Sequence, residues 1–560
     1  MALKLQGLLL CVGLQVGAAL AAETALNPVT PAMLTEGNAN TATRPLYGGN
    51  YANWRYSTLT DITRKNVSRL RPAWLFQPGV VGQFEASPTV VDGVMYVTAA
   101  YNNLFALNAA TGEMLWHYTH KMPNDIQICC RPSNRGVAVT GNMIIMGTLD
   151  AHLIAFDRAT GKVLWNITID DYRRGYSVTA APLVIDDKVI IGPAGGEYGV
   201  RGFIDAYAVG TGKLLWRRYT IPAKGEKGAE TWAGDSYKTG GGPAWATGTY
   251  DPALRLLYWA VGNPSPDWNG DAREGDNLYS DSVLALDPDT GELKWHFQFT
   301  PHDVWDCDGN TGMFLVDTLF DGKPVRALAQ PNCNGYLYVL DARTGKFLRG
   351  TQYTEKLNWA KGLDANGRPI PDPKFVPMPN GNPEFICPGT GGGQNGAFTA
   401  AYSPQTKMAY VPMMESCAKA EKQTAVFVNN TPFWGGGPGE TEGMAGTAYG
   451  RLAALDMTTG KTIWSRRDPW PVMSGTLATA GGVVFSGTQS GLAIALDDTT
   501  GEELWRFQTG GIPRGQPITY QLAGVQYVAM PTGGGGLLAS IFGQNPQMTL
   551  GNSLVVFALP

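Results

Sequence analysis

The chain has 560 residues, a net charge of -4 and only 16% charged residues, so it lacks the basic face that a nucleic-acid partner would require. Its 71 Gly and 37 Pro, without collagen's triplet period, indicate many tight turns between short strands, and 16 Trp and 23 Tyr suit strands that pack face to face. The length alone would allow two or three domains, although repeat folds often exceed that as one unit.

Residues 1–21 hold one Lys, an apolar run rich in Gly, and Ala19-Leu20-Ala21 as a cleavage site, which reads as a secretory signal. The mature chain, 22–560, is then expected as one domain. No later stretch reaches the roughly 20 apolar residues of a membrane span, so solubility outside the cytoplasm is expected. Of seven cysteines, Cys11 leaves with the signal, and six remain where disulfides persist.

One phrase recurs along the chain: "NAATGEMLW" ending at Trp116, "DRATGKVLW" at Trp165, "AVGTGKLLW" at Trp216, "DPDTGELKW" at Trp295, "DARTGKFLR" at Arg349, "DMTTGKTIW" at Trp464 and "DDTTGEELW" at Trp505. Alternating apolar residues precede most copies, so the unit is strand, Asp-x-x-Thr-Gly turn, strand. The spacing fits the four-stranded blades of a β-propeller better than a solenoid. The wide gap between Thr344 and Thr459 has room for one diverged blade, which would make eight. The Trp residues are expected to wedge between blades, each N–H finding a backbone partner. Function then belongs to the loops at one end of the channel.

The first interruption of the pattern is "QICCRPSNRG", where Cys129 adjoins Cys130. A disulfide between neighbours is rare and is seldom explained by loop entropy. Together, this pair and the Trp repeat resemble the quinoprotein alcohol dehydrogenases of the methanol and ethanol dehydrogenase family. These are eight-bladed all-β propellers that bind pyrroloquinoline quinone (PQQ) and a metal ion. The resemblance runs from "LYGGNYANWRYSTL" to "GQPITYQLAGVQYVAMPTGGGG".

The resemblance implies a flat quinone between the Cys129–Cys130 disulfide and Trp245 in "TGGGPAWATGTYDP". Glu85, Arg135 and Thr179 would meet its polar rim, with Arg135 as carboxylate clamp. Gly195 and Gly196 in "GPAGGEYGV" would bring backbone close to the ring, and Asn395 is kept from the family's pattern. Glu197 and Asn263 match metal ligands, and Asp306 in "TPHDVWDCDGN" matches the catalytic Asp, which also ligates. Calcium-using members have a small or neutral residue two places later, and lanthanide-using members have an Asp. Here that residue is Asp308. If the segment is extended, Asp306 and Asp308 point to one side while Cys307 faces away. Three formal negatives and all-oxygen ligation favour a lanthanide(III), with calcium as the alternative.

The implied chemistry is oxidation of an alcohol to an aldehyde, Asp306 removing the hydroxyl proton. No Cys-x-x-Cys-His occurs, so electrons are expected to pass to a separate soluble cytochrome c in the periplasm. A homodimer is left open. The pattern breaks at four places: Cys333 aligns with a basic residue of the family, while Met473, Gly396 and Leu537 align with Trp. Cys387 and Cys417 match a family disulfide, so Cys307 and Cys333 either pair with each other, the expectation here, or leave a free thiol. The competing readings are a non-enzymatic scaffold that binds protein partners and a degenerate, inactive quinoprotein.

Overall fold

The repeated phrase folds as a tight hairpin turn. In a computed structural model, the strand His152–Asp157 enters the turn and Val163–Thr168 leaves it. Asp157 Oδ1 accepts from the N–H of Thr160 at 2.9 Å and from its hydroxyl at 2.7 Å, while Gly161 N–H donates to the Asp157 carbonyl at 2.9 Å. The Asp thus closes the turn with its side chain, and Gly161 takes the left-handed φ of +70° that only glycine adopts without strain. Asp287, Asp341, Asp456 and Asp497 close their turns in the same way.

The structure describes residues 26–37, 41–394, 398–534 and 551–560. The signal segment and residues Asn395, Gly396 and Leu537 lie outside these. Among the described residues eight antiparallel blades follow one another at 89–119, 138–168, 183–219, 249–298, 314–352, 401–468, 477–508 and 518–558. The last is completed by the strand Arg71–Phe76, which pairs antiparallel with Ser553–Ala558, and Tyr56–Ser57 adds a parallel strand to blade 7. Two segments near the N-terminus therefore close the ring.

The eighth blade is consequently not in the wide gap of the repeat. Blade 5 ends at Gln352 and blade 6 begins at Ala401; the gap holds the small hairpin Ala360–Leu363 with Pro369–Pro371 and a long excursion inside blade 6. These insertions cover the loops of blade 4, where Trp359, Phe375, Ile386 and Ala420 bury Trp268, Val304 and Trp305. The composite blade carries its own docking residue, Trp74, in a phrase without the Thr-Gly turn because the chain break falls there.

Docking follows one rule from blade to blade. Trp116 Nε1 donates to the Arg158 carbonyl at 3.2 Å, Trp165 to Val209 at 3.0 Å, Trp216 to Pro288 at 3.1 Å, Trp295 to Ala342 at 3.2 Å and Trp464 to Asp498 at 3.0 Å. Each indole lies on the turn glycine of the next blade; a β-carbon on Gly501 would stand 2.6 Å from the ring of Trp464. Trp74 does the same to Gly112 of blade 1, whereas Trp505 of blade 7 meets the composite blade, which has no such turn, through an edge contact with Phe557 at 5.0 Å. Where Arg349 replaces Trp, its guanidinium donates to the Thr458 and Met457 carbonyls.

Gly501→Ala should lower stability by about 2–4 kcal/mol, combining left-handed strain with overpacking. Gly524, at φ +80° with nothing within 4 Å of its would-be β-carbon, bears only the strain, and Gly524→Ala should cost about 1 kcal/mol. Denaturant unfolding of the two variants measures the difference; equal losses would remove the Trp–Gly contact from the account.

Candidate cofactor and metal site

The strands of each blade alternate in direction, so the links between blades and the loops joining second to third strands emerge at the same end. Cys129, Cys130 and Arg135 lie on the link from blade 1 to 2, Thr179 on 2 to 3, Trp245 on 3 to 4, and Asp306 and Asp308 on 4 to 5. Glu197 is on the inner loop of blade 3. All of these line one open cavity. Cys129 and Cys130 are bonded, and Glu197 offers an oxygen within 4.8 Å of both sulfurs.

One side of the cavity is cationic. Arg135 pairs with Glu85 at 3.0 Å, donates to Thr179 Oγ1 at 2.8 Å, and stands 4.6 Å from the Trp245 ring centre. The second oxygen of Glu85 is held at 3.1 Å by Arg514, whose side chain is 1% exposed. Two guanidiniums on one carboxylate leave a buried net charge of +1, and the Nε of each arginine lacks a partner. Such a site suits an anionic ligand. Arg514 went unread in the sequence, where "GIPRG" carries no motif.

The other side is anionic. Asp303 accepts from the N–H groups of Trp305 and Cys307, each at 2.8 Å, and so folds the loop around itself. Asp306 and Asp308 have φ of +55° and +57°, so the segment is not extended as the sequence reading required. Both acids nevertheless line the cavity, and so does Cys307, which was expected to face away. Trp245 Nε1 donates to Asp308 Oδ1 at 3.1 Å.

The neighbouring loops press close. A β-carbon on Gly262 would stand 2.7 Å from Asp308 Oδ1, one on Gly196 would stand 3.4 Å from Asn263 Oδ1, and one on Gly195 would stand 2.2 Å from the Gly175 carbonyl. Only glycine fits at Gly262 and Gly195, and the glycines bring Glu197, Asn263 and Asp308 together. His302 fixes its loop through the Gly275 carbonyl at 2.8 Å.

Burial raises the pKa of Glu197, and burial with the charges of Asp267, Asp308 and Glu197 raises that of Asp306 further. Asp308 is pushed up to about 7 by burial and by Glu197. Asp267, absent from the sequence reading although it follows Asn263 by four residues, is fully buried with both oxygens unpartnered, and its pKa is raised by burial and by Glu197. Both polar atoms of the Asn263 side chain are likewise unpartnered.

These donors fit a hard cation: all are oxygens, several lack partners, and their mutual repulsion is what a positive ion would relieve. Among the described residues no three carboxylates lie within 4.8 Å of one another, so joint ligation requires small side-chain movements. Cys387 pairs with Cys417 as the resemblance implied, and of the departures noted in the sequence Cys333 pairs with Cys307. Met473 is buried beside Gln489 and Arg514.

A closed propeller with one polar, disulfide-walled cavity across its loop end defines an oxidoreductase of the quinoprotein class. The profile described as "PQQ: Glucose/ethanol/alcohol dehydrogenase, beta-propeller domain" matches residues 44–355 and 443–528. The quinoprotein alcohol dehydrogenase PedH of Pseudomonas putida is 40% identical over 505 residues, covering 86% of this chain and 84% of its own. The lanthanide-dependent methanol dehydrogenase of Methylorubrum extorquens is 37% identical over 606 aligned positions, covering 98% and 99%. A solved europium-containing methanol dehydrogenase superposes with a TM-score of 0.89 at 35% identity, covering 94% of this chain and all of that one. The chain belongs to the PQQ-dependent alcohol dehydrogenase family and is an enzyme of that type.

Arg273 is fully buried, donates to the carbonyls of Pro266 and Asp303, and is the cation among Asp267, Asp281 and Asp303. Arg273→Met should destabilise the chain by about 3–5 kcal/mol, because it leaves buried acids uncompensated. The urea midpoint measures this, and an unchanged midpoint would contradict it.

Proposed function

We propose that the cavity holds PQQ between the Cys129–Cys130 disulfide and Trp245, with Glu85, Arg135, Thr179, Gly195, Gly196 and Asn395 at its rim. Glu197, Asn263, Asp306 and Asp308 hold a metal ion beside it, a lanthanide(III) in preference to calcium. The observation that carries this reading is Asp308: a second acid two residues after Asp306, inside the same cavity and oriented by Trp245. The lanthanide dependence in the names of relatives and the europium in a solved structure support it.

When bound, the quinone and its ion supply the electron acceptor and the Lewis acid. The chain's own contribution is acid–base and positional. Asp306 accepts the hydroxyl proton of a primary alcohol on a carboxylate oxygen. Asp306, whose pKa burial and the neighbouring acids raise, would be held ionised with an ion bound among these carboxylates. Arg135, braced by Glu85 and Arg514, meets the carboxylates of the cofactor, while the indole of Trp245 fixes Asp308 and offers a flat face. The product is an aldehyde. A separate cytochrome c in the periplasm takes the electrons, and the signal-like residues 1–21 support export.

The purified chain should be inactive toward alcohols in a dye-linked assay until PQQ is added, and more active with lanthanum than with calcium. Activity without quinone would overturn the cofactor reading, and equal or better activity with calcium the ion preference. Asp308→Ala should abolish lanthanum-dependent turnover while sparing the other ligands. Asp306→Asn should reduce turnover with either ion by about 10²–10⁴-fold, because an amide cannot accept the proton. An Asp308→Ala enzyme with unchanged lanthanum response would reduce the loop to an acidic turn.

A further inference from the structure

The link from blade 4 to blade 5 holds three non-glycine residues in the left-handed region, His302 and the two acids Asp306 and Asp308, a conformation that persists only where the surroundings fix it. The residue between them, Cys307, is bonded to Cys333 on the inner loop of blade 5, 26 residues away, with 5.8 Å between the Cα atoms. Cys333 is 4% exposed, and its sulfur lies 3.6 Å from the Asp308 carbonyl oxygen. Cys307 borders both the main cavity and a small crevice whose other walls include Trp305, Trp359 and Asn334. The bridge therefore ties the middle of the acidic loop to the inner loop of blade 5.

Hydrogen bonds fix the flanks of this loop. Asp303 holds the N–H groups of Trp305 and Cys307, Asp281 holds that of Gly309 at 2.8 Å, and Gln330 holds the Gly309 carbonyl at 2.9 Å. The strands that flank Cys333, Lys323–Pro331 and Tyr336–Asp341, pair with each other in the middle of blade 5, so the far end of the bridge sits on a short loop held between two central strands.

We propose that the Cys307–Cys333 disulfide is a positioning clamp for Asp306 and Asp308. It pins the one residue whose movement would turn both carboxylates, and so holds the spacing on which ion affinity depends. Without it, ion binding has to order the loop as well as occupy it, and affinity falls. This inference rests on the ion-site reading given above.

The test is europium(III) titration of the full-length chain loaded with PQQ, read by luminescence, with bound water counted from lifetimes in light and heavy water. The paired variant Cys307→Ser/Cys333→Ser should bind europium about 10–100-fold more weakly, the range seen when groups that orient metal ligands are removed, and should show additional ion-bound water. Cys387→Ser/Cys417→Ser, which opens the bridge in the covering insertion, should lose stability while keeping wild-type affinity and water count. Wild-type affinity and hydration in the Cys307/Cys333 variant would overturn the clamp. If that variant does not fold, alkylation of the native wild-type chain in the presence of a thiol reductant decides: both cysteines should resist until the chain is unfolded, and full europium affinity with both reduced and alkylated overturns the proposal. A wild-type chain that binds neither europium nor calcium overturns the ion site itself, and the clamp with it.

Discussion

The structure depends on one contact repeated around a circle: a tryptophan edge donating to a carbonyl while its face lies on the turn glycine of the next blade. The contact joins the outer strand of one sheet to the hairpin of its neighbour, so it works only if every turn keeps the same geometry. This is why the Asp-x-x-Thr-Gly phrase scarcely varies. Blade 5 shows what is essential: Arg349 reaches the same carbonyls with a guanidinium, so the rule concerns a flat donor over a bare glycine more than an aromatic ring. Blades locked at their outer edges hold their inner loops in fixed relation, and a cavity assembled from four different links and an inner loop needs that rigidity.

Within the cavity the charges are sorted. Arg135 and Arg514 share Glu85 on one side, and Glu197, Asp306, Asp308 and Asp267 gather on the other. Trp245 touches both groups, stacking under Arg135 and donating to Asp308. A ligand that is anionic at one edge and shares a cation at the other is selected by this division before any particular contact is considered. The acids' pKa values are raised, by burial for Glu197 and by burial together with neighbouring negative charge for Asp267 and Asp306.

What could be read in advance follows from how local each signal is. The hairpin repeat is local, so blade type and the docking role of Trp were legible, as were adjacent cysteines and an acid-rich loop. The closing blade was not, because its two parts, Arg71–Phe76 and Ser553–Ala558, are almost the whole chain apart, and the missing repeat pointed to the widest gap instead. Asp267 and Arg514 had no pattern around them; their meaning comes from burial and from partners, which only packing supplies. The acidic loop does not have the extended backbone that its reading assumed. Alternation assumes an extended strand, whereas the caps on Asp303 and two left-handed aspartates bring Asp306, Cys307 and Asp308 all to the cavity wall.

Ring closure by the strand Arg71–Phe76 also has a temporal meaning. The blade that receives it is the last to leave the ribosome, and its outermost strand is among the first segments made, so the circle cannot close on a growing chain. Blades 1 to 7 can form as hairpins arise, yet Trp74 has no fixed place relative to Gly112 until Ser553–Ala558 is available to hold its strand. Until then the cavity has its residues but lacks a locked ring, which means that cofactor and ion meet a finished site only after synthesis ends. A chain released early would leave the apolar faces that blades 1 and 7 turn toward blade 8 uncovered, each able to associate with another copy. Full-length release is thus the step that converts a row of blades into a binding site.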